Sequence, residues 1–359
     1  MCKRNDGAGD AAGRIAAILA RYADDPRTGE LLFSVQSGDG ALNVTQGDPQ
    51  RQFFIASATK LFVAAILARY RERGLVDWDA PMVGYLPDLD LHGLHARRGR
   101  ERTGKITVRH LLAHTSGLAD YFGEPRGTKR TEFRSTFDRV VKRDMGWDLA
   151  QALAWSREIP PHFAPGARGK AFYSDTNYQL LGAIIERIGG ASFAEIVERE
   201  VCEPLGLRHT WVFGPDDIGR YDEIATMLHG RRRLRIPMAM ASTQADGGIV
   251  STLCDLQRFL RAFFGGELVP PTMLAEMTRE WRRIFFPLRY GTGIMQFRLA
   301  SALTGFRRVP PMVGHSGASG TVVYRCLERD LWMVGTVNQT MQRSLPYKIL
   351  VQIEMAARG

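Results

Sequence analysis

Long apolar runs are missing from this 359-residue chain; the longest uninterrupted one covers residues 61–68. A helix that crosses a bilayer needs about 20 such residues, so no membrane span is expected. No apolar leader follows Met1-Cys2-Lys3-Arg4-Asn5-Asp6 either, and the sequence therefore reads as cytoplasmic. A periplasmic or secreted chain whose leader had been removed would read the same. Cysteine is scarce: Cys2, Cys202, Cys254 and Cys326 are scattered and form no Cys-x-x-Cys pair. That spacing argues against both a disulfide framework and a zinc site. His110 and His114 stand four apart, but no Glu follows His110 as a zincin helix requires, so no metal is expected. Internal repeats and low-complexity segments are absent as well.

Acidic residues are outnumbered, 38 against 48 lysines and arginines, which leaves a formal net charge of +10. The basic residues fall in islands: Arg97-Arg98-Gly99-Arg100, Lys129-Arg130, and Arg231-Arg232-Arg233 with Arg235. None is interleaved with aromatics, so nucleic acid is not an expected partner. Solvated loops are the plain reading, and an acidic partner or anionic surface is the alternative. Hydrophobic residues at 45% and charged residues at 24% place the chain among ordinary globular proteins. Its length exceeds what one hydrophobic core usually organises, which favours two lobes.

The order of elements suggests how those lobes form. A helix is expected over 11–22, and strands over 31–36 and 41–45 flank the hairpin signal Ser37-Gly38-Asp39-Gly40. Phe53-Phe54-Ile55 leads into a helix from Ser57 to about Arg73, with Gly74 as its stop. Helices over 108–113, 147–155, 177–188 and 193–201 are separated by long loops rich in Pro and Gly. Strands return over 293–297, 321–327 and 331–337, before a last helix over 345–357. The economical architecture is α/β in composition, more strictly α+β. One antiparallel sheet is built from residues 11–95 and 285–359, flanked by helices, and 96–284 forms a mainly helical lobe. The active site is expected in the cleft between the lobes.

Three motifs could carry chemistry. Ser57-Ala58-Thr59-Lys60 places a hydroxyl and an ammonium three residues apart, on one face of a helix start. A serine hydroxyl is a weak nucleophile until a neighbour takes its proton, and a desolvated lysine can do so. The unpaired N–H groups of a helix start also favour developing negative charge. The apolar run that follows Lys60 implies that this helix is buried. Tyr173-Ser174-Asp175 lies at a loop-to-helix junction, where a phenol near an ammonium, its pKa lowered by that charge, could pass a proton. Gly314-His315-Ser316-Gly317 precedes a hairpin, and glycine at a strand edge lets a substrate backbone approach.

These motifs, in this order, resemble the serine β-lactamase and penicillin-binding-protein superfamily, specifically its class C β-lactamase-like branch. Further matching segments are Phe54 to Lys60, Ile106-Thr107-Val108-Arg109-His110-Leu111-Leu112-Ala113-His114-Thr115-Ser116-Gly117-Leu118, Tyr173 to Tyr178, Pro204-Leu205-Gly206-Leu207 and Gly247-Gly248-Ile249-Val250-Ser251-Thr252. The resemblance implies acylation of Ser57, with Lys60 and Tyr173 sharing general-base and proton-return work. It also implies an oxyanion hole from the backbone N–H groups of Ser57 and Ala318, and a supporting role for His114-Thr115-Ser116-Gly117. Asp175, His315, Ser316 and Gly317 would meet a small-molecule or short-peptide substrate, and no cofactor is called for.

Two departures narrow the substrate. His315 stands where β-lactamases and transpeptidases carry a lysine that binds a carboxylate, and imidazole is mostly neutral at pH 7. Such His-x-Gly members include esterase-like and D-aminopeptidase-like enzymes. Asp175 replaces the asparagine of Tyr-x-Asn; ionised, it only accepts hydrogen bonds, so it could pair with Lys60 or with a substrate amine. Asn177 is the nearest substitute donor in sequence. An ester or amide hydrolase is the favoured function, a class C-type β-lactamase or D,D-carboxypeptidase the alternative, and a non-catalytic penicillin-binding-type sensor the reading from another class. A nucleophile elbow centred on Ser316 fails, because all eight histidines precede Ser316 and that fold needs one after it.

Overall fold

The computed structural model describes residues 6–125, 134–304 and 306–358. Lys129-Arg130, one of the basic islands, lies outside them. Helix α1 (Asp6–Ala23) is followed by strands β1 (Leu32–Ser37) and β2 (Asn43–Gln46), a hairpin as the Ser-Gly-Asp-Gly signal requires. Strand β3 (Phe53–Phe54) and a single 3-10 turn (Ala56–Ala58) lead into helix α2 (Thr59–Glu72). Helices α3 (Val108–Leu112) and α4 (Asp175–Gly189) carry the two loops that meet at the site. Strands β4 (Trp211–Val212) and β5 (Ile249–Ser251) precede helix α5 (Leu253–Gly265). The C-terminal strands are β6 (Arg282–Phe285), β7 (Leu288–Tyr290), β8 (Met295–Phe297), β9 (Met312–Ser316), β10 (Thr321–Cys326) and β11 (Leu331–Thr336), closed by helix α6 (Leu345–Ala356).

Eight strands form one antiparallel sheet in the order β6-β7-β8-β9-β10-β11-β1-β2. The N-terminal hairpin joins the C-terminal meander through β1 and β11, where Leu32 faces Thr336 and Ser37 faces Leu331. The sheet therefore comes from both ends of the chain, as the sequence indicates. On one side Ile15, Leu19 and Tyr22 of α1 and Ile349, Leu350 and Ile353 of α6 pack with Phe33, Val35 and Met333 of the strands. On the other, α5 docks through Gln257, whose amide donates to the Ser34 and Trp332 carbonyls at 3.2 Å each. Leu253, Leu256, Phe259, Leu260 and Phe263 are buried along α5, a helical period that predicts this element although the sequence reading omitted it.

One expectation needs correction. Strand β3 does not enter the large sheet; it pairs with β5 in a separate three-stranded sheet, β3-β5-β4. Both of its phenylalanines are buried, Phe53 in the main helical core and Phe54 among Phe213 and Tyr221. A strand apolar on both faces needs cover on both sides, and here the helical core covers Phe53 while Phe213 and Tyr221 cover Phe54. This placement matters, because β3 runs straight into Ser57.

Candidate active site

Ser57 sits half-buried in the 3-10 turn, where no side-chain cap bond is made and Ala56 is held at φ +47°. A serine acting as an N-cap with a solvated lysine nearby is therefore not what this segment is. Lys60 is fully buried. Its Nζ lies 2.7 Å from Asp175 Oδ1 and donates to the Asp246 carbonyl at 2.5 Å. The same ammonium lies over the Tyr173 and Tyr178 rings, 5.2 and 5.1 Å from their centroids. A buried cation stays only where charge and π-faces replace water, and this pocket supplies both.

The Tyr173 hydroxyl lies within interaction reach of the Ser57 side chain, which brings together two of the three expected catalytic groups. The expected effect of Lys60 on Tyr173 is reversed. Burial first, and the Asp175 charge second, push the phenol well above its ordinary value, against the opposing bond from Ser57. Asp175 both neutralises Lys60 and repels a phenolate, so Tyr173 holds its proton at rest.

The strand motif approaches from the opposite side. Ser319 Oγ and Thr321 Oγ1 donate to the Phe54 carbonyl at 3.1 and 3.3 Å, tying the β9–β10 turn to the strand that delivers Ser57. At Gly317 an added Cβ would lie 2.3 Å from the Ile55 carbonyl oxygen, so only glycine lets the two backbones come this close. Ala318 follows, exposed, and its N–H has no acceptor among the described residues. Ser316 turns its hydroxyl to Tyr324, 2.8 Å away.

His315 points inward rather than to the cleft. Its Nδ1–H donates to the Ser316 carbonyl at 2.8 Å, leaving Nε2 to accept from Tyr290 at 2.9 Å, and the Tyr290 and Tyr178 hydroxyls lie 3.0 Å apart. Burial, then the Lys60 charge, bring its pKa down to about 3. The imidazole is neutral across the physiological range, as its substitution for lysine suggests, and its side chain is not presented to a ligand.

The His114-Thr115-Ser116-Gly117 loop acts as a brace. His114 Nδ1 accepts from the Ser174 N–H at 3.1 Å and contacts Asn177 Nδ2 at 3.0 Å, and its ring packs against that of Tyr173 at a 31° tilt, centroids 4.3 Å apart. Ser116 donates to Asn177 Oδ1 at 2.7 Å. Asn177 is thus spent on the brace and fully buried, which removes it as a substitute donor to substrate. His110 accepts from the Thr107 N–H in the cap of α3. Among the described residues no group of three or more His, Cys, Asp or Glu could hold a metal ion.

Two carboxylates were not singled out in the sequence. Asp246 lies under Lys60 and accepts from Tyr121 at 2.7 Å and Gln179 at 3.0 Å; burial, then Asp175, raise its pKa well above the ordinary range. Asp120 accepts from the Asp175 N–H at 3.0 Å, and burial, then the Asp175 charge, raise it to about 7. Both flank quoted motifs: Asp120 follows Leu118 by two residues and Asp246 precedes Gly247-Gly248. That adjacency is the signal that could have found them.

Asp120 makes stability pH-dependent. The folded chain keeps this proton up to about pH 7, whereas the unfolded chain loses it near pH 4. Between those values the unfolded state binds fewer protons, so stability falls as pH rises from 4 to 7. Thermal melting at pH 5 and pH 8 should show a lower Tm at pH 8, and Asp120→Asn should flatten that difference. An equal pH response in both proteins would contradict the assignment.

A serine at a buried-lysine helix start, a tyrosine beside it, and a sheet strand brought against that segment define the serine β-lactamase and transpeptidase type of fold. The chain belongs to the Beta-lactamase family, whose model matches residues 23–350. It is 31% identical over 218 residues to Esterase EstB of Burkholderia gladioli, covering 58% of this chain and 50% of that protein. It is 25% identical over 279 residues to a penicillin-binding protein of Bacillus subtilis, covering 74% and 55%. The chain thus spans about half the length of these curated relatives. Among solved structures it is similar to the D-amino acid amidase of Ochrobactrum anthropi SV3 complexed with L-phenylalanine amide, with a TM-score of 0.77 at 22% identity, covering 97% of this chain and 98% of that one.

Proposed function

We propose that the protein is a serine hydrolase that cleaves ester or amide bonds of small substrates through an acyl-enzyme on Ser57. The observation that carries this reading is the convergence of Ser57 and Tyr173 beside the buried Lys60–Asp175 ion pair. Ser57 Oγ attacks the carbonyl while its proton passes to Tyr173 Oη, and Tyr173 hands its own proton to the leaving oxygen or nitrogen. No net charge builds on the phenol in this relay, which suits a tyrosine whose phenolate is disfavoured. The Lys60 ammonium stabilises the partial charge in transit. The Ser57 and Ala318 N–H groups receive the oxyanion, and water then reverses the sequence to release the acid. The cleft lies between the sheet lobe (11–95 with 285–359) and the helical lobe (96–284).

Substrate class follows from charge. His315 brings no cation to the strand, while the Asp175 carboxylate adds negative charge beside the cleft, so a substrate carboxylate finds no partner and a substrate amine finds one. Neutral short-chain esters and D-amino-acid amides are the substrates this favours, in keeping with the esterase and amidase relatives; penicillin-type carboxylates are not. Losing one charge-assisted contact costs about 1.5–3 kcal/mol. In a panel of p-nitrophenyl butyrate, D-phenylalanine p-nitroanilide and nitrocefin, kcat/KM for the ester should exceed that for nitrocefin by about 10–100-fold. Nitrocefin turnover equal to the ester's would overturn the substrate argument and leave the Ser57 mechanism standing.

A further inference from the structure

The free edge of the large sheet carries a second feature, independent of the Ser57 chemistry. Strands β6 and β7 place Arg283 directly opposite Arg289. Like charges facing each other across a strand pair are destabilising unless an anion lies between them. Leu288 and Tyr290 on either side of Arg289 are buried while Arg289 is exposed, so the alternation of the strand turns this arginine pair outward. Arg283 and Arg289 line a cavity of about 430 Å³ together with Arg298, Arg308 and Phe286. Arg308 pairs with Glu328. Arg283, Arg289 and Arg298 have no carboxylate partner among the described residues.

Exposed apolar side chains gather around the same cavity. Seven large ones are exposed among the described residues, and Phe285, Phe286, Phe306 and Leu327 all lie at this end of the sheet. Phe285 and Phe286 form the tip of the β6–β7 hairpin, and Phe306 is 85% exposed. Phe306 is held next to the cavity by its N–H bond to the Ser301 carbonyl, and Leu327 adjoins Glu328, the partner of Arg308. A soluble anion would account for the arginines and leave the phenylalanines unexplained. An anionic bilayer surface accounts for both: guanidinium groups meet lipid phosphates while aromatic rings enter the acyl boundary.

We propose that this face docks on an anionic lipid surface, with lipid phosphate seated among Arg283, Arg289 and Arg298 and with Phe286 and Phe306 inserted. The patch adjoins the rim of the cleft, because the Phe285 ring stands 6.2 Å from that of Tyr173. The net charge of +10 favours the same approach.

The full chain should co-sediment with phosphatidylcholine vesicles containing about 30% phosphatidylglycerol and not with phosphatidylcholine alone, and about 0.5 M NaCl should weaken the binding, as screening at about a 3–5 Å Debye length requires. The double exchange Arg283→Ser, Arg289→Ser should lower the partition constant roughly thirtyfold, from about fivefold per arginine near a charged surface. Its turnover of p-nitrophenyl butyrate in solution should match the unmodified protein, which shows that it folds. A Phe286→Trp reporter should shift to the blue on the anionic vesicles and be quenched by a brominated acyl chain. Equal binding to both vesicle types, or an arginine variant that binds like the unmodified protein, would overturn the proposal. So would a rise in Tm with inorganic phosphate and no vesicle binding, which would assign the cavity to a soluble phosphate compound.

Discussion

Ser57→Ala is expected to lower kcat/KM on p-nitrophenyl butyrate by about 10⁵-fold or more, the scale seen when a covalent nucleophile is removed. The exchange removes one oxygen from a half-buried turn whose side chain makes no cap bond. Stability should therefore stay within ±0.5 kcal/mol or so, the range for substitutions away from packed features. The Tyr173 hydroxyl loses the neighbouring Ser57 hydroxyl, but its ring remains packed against His114. Activity and stability should thus separate completely at this position. A variant that keeps even a tenth of the activity would show that another group attacks the carbonyl.

Lys60 should behave differently, because it serves both the chemistry and the fold. Lys60→Met removes the cation and leaves the Asp175 carboxylate without its partner, within electrostatic reach of Asp120 and Asp246. Breaking one side of a buried ion pair typically costs about 3–5 kcal/mol. Turnover should fall by about 10²–10⁴, the range for losing acid–base assistance. The double exchange Lys60→Met, Asp175→Asn removes both charges and should recover most of the stability and none of the activity. Tyr173→Phe should cost about the same factor in rate with little change in Tm, since it removes one hydroxyl and keeps the ring. Wild-type turnover in Tyr173→Phe would remove the phenol from the relay, and recovery of activity in the double variant would make Lys60 a purely structural cation.

The proposed trio of Ser57, Lys60 and Tyr173 was legible as a candidate because each member sits where local chain chemistry restricts the alternatives. Ser57 and Lys60 share a helix face by spacing, and the apolar run after Lys60 announces that the face is buried. The hairpin of β1 and β2 was readable from its turn residues, and β10 and β11 from short apolar runs. The surroundings of Lys60 were much less so. Asp120, Asp246 and Tyr290 reach the site from distant segments, and nothing in the local sequence says that Lys60 sits between the Asp175 carboxylate and the Asp246 carbonyl. The sign of the shift at Tyr173 was misjudged for that reason: a nearby ammonium alone would lower it, but burial first, and the Asp175 charge second, raise it. His315 was legible as a lost charge and not as an inward-facing ring, because its orientation depends on Tyr290, 25 residues away. The run Phe53-Phe54-Ile55 was legible as apolar, but the sheet that takes it up was not, since partner choice depends on burial on both faces.

Reaction with a serine-directed fluorophosphonate, followed by peptide mass spectrometry, tests the central claim most directly. One adduct is expected, on the peptide containing Ser57, and it should be absent from Ser57→Ala. An adduct on Ser316 or elsewhere, or one that persists in Ser57→Ala, would contradict the assignment of Ser57 as the nucleophile.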